Sequence, residues 1–276
     1  MKFADKYLDL SQPRVMGILN VTPDSFSDGG KFNHLDTALY QVEQMLSDGA
    51  AFIDVGGEST RPGAAEVSVN EELDRVVPVI EAIHARFDTV ISIDTSKSQV
   101  MQAACDAGAG LINDVRALQE DGALAVAAQS RAAVCLMHMQ GQPRTMQQQP
   151  QYQNLFTDIF SFLDDRVQRC LQAGIARDKI LLDPGFGFGK TLQHNYQLLQ
   201  GMERFHHLGL PLLVGMSRKS MLGTLLSRPV EERLAGSLAC ATIAALKGAQ
   251  IIRVHDVKQT VDALKVVMAT LNPELI

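Results

Sequence analysis

The sequence predicts an α/β fold, a (β/α)8 barrel formed as a single domain over residues 1–276. Three observations predict it. Eight short apolar runs of strand length alternate with eight stretches of helical spacing. Strands that alternate with helices pair in parallel, through right-handed crossovers. The connections from strand to helix are often long, at 20–34, 56–68 and 138–153, whereas those from helix back to strand are shorter. Long loops at the carboxyl ends of strands are where such folds place a site. A doubly wound open sheet is the competing reading.

Each element has its own signal. The first segment, to Arg14, is weakly patterned and reads as a lead-in strand or hairpin. Val15–Leu19 is the first barrel strand, ending on Asn20. Leu35, Ala38, Leu39, Val42, Met45 and Leu46 follow helical spacing, and Gly49 can end that helix. Phe52–Val55 is the second strand. Ser68 with Glu71 resembles a capping box ahead of the helical face Leu73, Val76, Val77, Ile80 and Ile83. Thr89–Ile93 ends in Asp94, and a helix from about Ser96 stops at Gly108. Leu111–Ile112 ends in Asn113 and Asp114, before a small Ala-rich helix over Asp121–Gln129. Ala132–Met137 ends at His138, and the Gln-rich piece after it is a loop because the alternation resumes beyond it.

Leu155, Ile159, Phe162, Leu163 and Val167 mark a long helix. Ile180–Leu182 ends in Asp183, with a helix over roughly Leu192–Phe205 behind it. Leu212–Gly215 leads into MSRKS, and helical pattern returns near Val230–Leu246. Gln250–Val254 carries Arg253 and reaches His255, and Val257, Val261, Leu264, Val267 and Met268 line the last helix.

Composition bounds the function. With 46% hydrophobic and 20% charged residues, the chain has ample core. Its net charge of −6 argues against a nucleic-acid surface, so an anionic ligand must be held by local cations. No apolar run approaches a membrane span, and MKFADKYLDL does not read as a secretory leader. Cys105, Cys135, Cys170 and Cys240 lie far apart, without metal-like spacing, and read as free thiols in a reducing compartment. A cytoplasmic enzyme is the expectation.

The strand ends carry Asn20, Asp54, Asp94, Asn113, His138, Asp183, Lys219 and His255, which converge on one mouth if the barrel closes. Asp94, Asn113 and Asp183 are an acceptor-rich set. It suits a flat heterocycle rich in N–H donors, a metal, or helix caps, and the lack of His or Cys beside it disfavours a transition metal. LLDPGFGFGK over 181–190 is not a phosphate loop, because Pro184 stands where a Walker motif needs glycine. It reads instead as a flexible loop whose Phe186 and Phe188 can flank an aromatic substrate, or simply pack in the core. Lys219 and Ser220 stand near a helix start, where backbone N–H groups can meet an anion. Arg253 and His255 alternate along one strand, so both can point the same way. With Asn20, Thr60 and Arg61 they could hold an anion as large as pyrophosphate.

NVTPDSFSDGG, DVGGESTRPGA, SIDTSK, IND, LDPGFGFGK, GMSRKSMLG and RVHDV, in that order, closely resemble the bacterial dihydropteroate synthase family of folate biosynthesis. The likeness runs from about Met16 to Val257. It implies a TIM barrel that joins p-aminobenzoate to hydroxymethyl-dihydropterin pyrophosphate, with Mg2+ as cofactor and a homodimer as assembly. It implies that Asp94, Asn113, Asp183 and Lys219 bind pterin and that Asn20 meets Mg2+. Thr60, Arg61, Arg253 and His255 look like pyrophosphate contacts. Phe26, Pro62, Phe188, Lys219 and Ser220 resemble the p-aminobenzoate pocket, which sulfonamides occupy. Asp94, Lys219, Arg253 and His255 would carry the catalysis. The expected route is dissociative and ordered, with the loops after the first two strands closing over pyrophosphate. The rival readings are a pterin-binding methyltransferase-type barrel and a catalytically silent pterin-binding homologue.

Overall fold

In the computed structural model, residues 1–22, 31–59, 66–141, 146 and 150–275 are described, those at 31–33 and 275 by backbone alone. The lead-in is an antiparallel hairpin of β1 (Lys2–Phe3) and β2 (Lys6–Tyr7). Eight strands follow: β3 (Arg14–Asn20), β4 (Phe52–Gly56), β5 (Val90–Asp94), β6 (Leu111–Asp114), β7 (Ala133–Met137), β8 (Ile180–Asp183), β9 (Leu213–Val214) and β10 (Ile251–Val254). They pair in parallel in the order β8-β7-β6-β5-β4-β3-β10-β9. A bridge between Leu182 and Leu212 joins the two ends, and Leu182 N–H donates to the Pro211 carbonyl at 2.9 Å. The sheet therefore closes into the expected (β/α)8 barrel. An open doubly wound sheet would have left those ends apart.

The period of two along each strand sorts side chains between two cores. Met16, Phe52, Val90, Leu111, Leu181, Leu213 and Ile251 point inward and form one buried cluster with Phe3. Phe3 meets Phe52 edge-on, with ring centres 5.0 Å apart, so the hairpin plugs the amino-terminal end of the barrel. Val15, Ile53, Ile91, Ile112, Val134, Ile180 and Ile252 point outward and pack in the larger cluster with the helices. One step further up the interior the apolar filling stops. Asp54, Ser92, Asn113 and Asp183 are buried there, and Arg253 is nearly so. Burying an aliphatic side chain at such a position would contribute about 1.5–3 kcal/mol. Polar residues in that layer give up this stabilisation, which points to a role other than packing.

Outside the barrel lie α1 (Lys31–Ser47), α2 (Val69–Arg86), α3 (Ser98–Asp106), α4 (Ala123–Gln129), α5 (Leu155–Gln172), α6 (Leu192–Gln200), α7 (Ser220–Leu226), α8 (Leu234–Leu246) and α9 (Val257–Leu271). The spacing predicts one helix after β9, but the structure has two. Gly223 inside α7 hides the helical pattern. A Cβ there would lie 2.1 Å from the Arg233 guanidinium, the movable end of a side chain that would have to shift. The helix expected to reach Phe205 stops at Gln200 and continues as a 3-10 turn over Met202–Leu208. At α2 only half of the expected capping box forms. Ser68 Oγ accepts from Glu71 N at 3.3 Å, while the Glu71 carboxylate turns to Arg75. Cys105, Cys135, Cys170 and Cys240 are free, as the spacing predicts.

Candidate active site

The carboxyl ends of the strands bring the polar residues together. Arg253 crosses the barrel interior, donating through Nε to Asp54 Oδ2 at 2.5 Å and through Nη2 to Asp94 Oδ2 at 2.8 Å. Asn113 Nδ2 donates to the same Asp54 oxygen at 3.4 Å. The guanidinium thus faces two carboxylates as well as the mouth. Two carboxylate oxygens, Asp54 Oδ1 and Asp94 Oδ1, and the Ser92 hydroxyl are buried without a hydrogen-bond partner among the described residues. A buried acceptor without a donor costs about 1–3 kcal/mol. Of the three residues only Asp94 is not fully buried, so its Oδ1 is the acceptor nearest the mouth.

Burial sets the electrostatics of this layer. It pushes the Asp94 carboxyl up to about 7, against the pull of Arg253 and with a push from Asp54. It also raises Asp183, which Lys219 and the Gly185 N–H draw back down. Lys219 falls to about 8, because burial outweighs the support of Asp183. Burial would lower Arg253 too, but Asp54 and Asp94 override it and hold the guanidinium charged.

Asp183 ends β8, accepting Gly185 N–H at 2.7 Å. The loop beyond it is not loose, as the glycine pattern suggests, but pinned along its length. Gly187 N–H donates to Asn195 Oδ1 at 2.6 Å, Tyr152 OH to the Gly189 carbonyl at 2.7 Å, and Lys219 Nζ to the Phe186 carbonyl at 2.6 Å. Gly185, Gly187 and Gly189 all have positive φ, so the chain turns at every second residue. A Cβ at Gly185 would sit 1.9 Å from the His138 carbonyl oxygen. Those turns send the two phenylalanines different ways. Phe186 is fully buried against the outer helices and cannot flank a substrate, which corrects that expectation. Phe188 lies with Val115, Met137 and Met146, and its ring centre is 4.6 Å from Lys219 Nζ.

At the rim, Asn20 is exposed at the end of β3. A Cβ at Gly56 would lie 3.7 Å from both Asn20 Oδ1 and Asp94 Cβ, so the glycine leaves the space between them open. His255 Nδ1 lies 3.1 Å from Ser217 Oγ, and Arg218 pairs with Asp256 at 2.5 Å. These two contacts tie the loop after β9 to the end of β10. Lys219 is the N-cap of α7, and Ser220, its first residue, is exposed. Phe26, Thr60, Arg61 and Pro62 lie outside the described residues. Among the residues brought together, Asp54, Ser92, Ser217 and Lys190 carried no assigned role from sequence. Asp54 was already placed at the mouth by its strand, and the period of two, counted from Met16 and Phe52, could have found Ser92 as well.

A profile of the family described as pterin binding enzyme matches residues 16–255. The chain is 62% identical over 265 residues to dihydropteroate synthase of Escherichia coli K12, covering 96% of this chain and 94% of that protein. The chain belongs to the dihydropteroate synthase family. Solved structures of dihydropteroate synthases share its architecture. A Yersinia pestis dihydropteroate synthase, in complex with a sulfonamide drug, superposes with a TM-score of 0.94 at 62% identity, covering 99% of both chains. The 7,8-dihydropteroate synthase of Vibrio fischeri gives a TM-score of 0.89 at 68% identity, covering 99% of this chain and 98% of that one. A dihydropteroate synthase is a transferase, and membership of this family excludes the methyltransferase-type rival.

Proposed function

We propose that this chain condenses hydroxymethyl-dihydropterin pyrophosphate with p-aminobenzoate, by dissociative substitution, at the mouth bounded by Asp94, Asn113, Asp183 and Lys219. The observation that carries the reading is the buried acceptor layer, with Asp94 Oδ1 unpartnered among the described residues, beside a lysine and an arginine. A reduced pterin offers a flat edge of N–H donors that such acceptors match. Lys219 supplies the complementary donor. As pyrophosphate leaves, the pterin-methyl carbon becomes cationic, and the Asp94 carboxylate stabilises that charge within a low-dielectric layer. The leaving group draws on Arg253, which stays charged, and on His255, with Thr60 and Arg61 in the same role. Phe188 and Ser220 border the arylamine side, and the family resemblance assigns Phe26 and Pro62 the same role. The amine then attacks the exposed carbon.

Asn20 fits a Mg2+ ion carried on pyrophosphate. It presents a hard oxygen at the rim, and Mg2+ in such sites takes one or two protein oxygens beside substrate phosphates. The ion would neutralise charge developing on the leaving pyrophosphate.

Pyrophosphate release tests the function. Enzyme, pterin pyrophosphate, Mg2+ and p-aminobenzoate together are expected to release it, and omission of any one to stop release. Release that ignores p-aminobenzoate would sink the proposal.

We also propose that the chain works in the cytoplasm as a homodimer. No described helix is long and apolar enough to cross a membrane. Leu225, Leu226, Ile243, Leu246, Val266 and Leu271 are exposed on α7, α8 and α9, which supports an apolar interface there. A soluble cell fraction sedimenting at twice the 30.1 kDa chain mass is the expected result. A monomer at micromolar concentration would contradict it.

A further inference from the structure

Lys190 has no part in the chemistry above, yet it is only 2% exposed. Its Nζ lies 3.0 Å from His138 Nδ1, 3.0 Å from the Phe188 carbonyl and 3.3 Å from the His138 carbonyl. Burying an ammonium is costly, and an aliphatic residue would fill the same space more cheaply. Its three partners match the valences of an amine. Two carbonyls take N–H groups, and the ring nitrogen takes the remaining position. Burial drives the Lys190 ammonium well below its usual value, against Asp183 and with Lys219, and it pushes His138 down to about 2.

The geometry around the loop is two-sided. Lys219 reaches the Phe186 carbonyl from the mouth, and Lys190 reaches the Phe188 carbonyl from the buried side. The positive φ at Gly187, between the two phenylalanines, turns the chain so that their carbonyls meet different lysines. His138 cannot yield easily, because its ring is wedged edge-on against Phe162 at 5.1 Å between centres.

We propose that Lys190, seated on His138, is a positioning residue that sets the Phe188 ring against Lys219 and so shapes the arylamine side of the site. The inference rests on the p-aminobenzoate pocket proposed above. Steady-state kinetics on full-length Lys190→Met, varying each substrate in turn, test it. The KM for p-aminobenzoate is expected to rise about tenfold, since misplacement by an ångström costs up to about a hundredfold. The KM for pterin pyrophosphate should stay within about twofold. Tyr152→Phe removes the outer tie to Gly189 on a half-buried ring and should give the same split, about threefold. It carries the test if Lys190→Met does not fold. Equal losses for both substrates, or lowered stability with unchanged KM values, would overturn the assignment. No turnover by the parent enzyme would instead refute the function on which it rests.

Discussion

Replacing Asp94 with Asn is expected to lower kcat/KM for the pterin substrate by roughly 10²–10³-fold, the range for losing one preorganised charge-stabilising group. The substitution keeps the volume and one acceptor oxygen. It removes the negative charge opposite the developing cation and turns an N–H donor toward Arg253. The pH profile should change with it. Burial places the Asp94 carboxyl at about 7 and Lys219 at about 8. Below about 7 Asp94 takes up a proton and loses its charge, and above about 8 Lys219 loses one. The profile of kcat/KM in the parent enzyme should therefore peak between these values and fall on both sides. In Asp94→Asn the acid limb should vanish while the alkaline limb remains. An acid limb that persists in the variant would assign that titration to another group.

Replacing Arg253 with Met is expected to destabilise the fold by about 3–5 kcal/mol at pH 8, because it leaves buried carboxylates without their cation. Both partners are deeply placed, Asp54 with a side chain 0% exposed and Asp94 with one 10% exposed. The sign of the pH dependence follows. Asp94 already sits above its usual value in the folded chain, and removing Arg253 takes away the chief influence that lowers it. Between the ordinary carboxylate range and the raised value, the folded chain holds a proton that the unfolded chain releases. Stability then falls as pH rises through that window. Urea unfolding at pH 5 and pH 8 should show the smaller loss at pH 5. An equal loss at both would mean that the arginine contributes mainly its packing.

Much of the site was legible because its residues lie at strand ends. Asn20, Asp94, Asn113, Asp183 and His255 each close or follow an apolar run, and in a barrel all such ends face one mouth. Asp54 was legible too, but Ser92 lies inside its strand, and only the pairing register puts it level with Asp54. The loop after β8 shows the same limit. Phe186 and Phe188 are two apart and would share a face in a strand, but Gly187 between them, and Gly185 and Gly189 on either side, all turn at positive φ and send them apart.

The period of hydrophobic residues, two in the strands and three to four in the helices, by itself determined the alternation of elements and hence a parallel α/β fold, while closure into a barrel was decided by the pairing of Leu182 with Leu212. Each local run must bury its own apolar side. Which partners the buried charges choose was decided only by tertiary structure. Arg253 meets Asp54 across 199 residues of chain and Asp94 across 159. Such ion pairs form because the closed barrel brings distant strands within about 3 Å of each other's side chains, in a layer where an unpaired charge is expensive. No local pattern encodes that proximity.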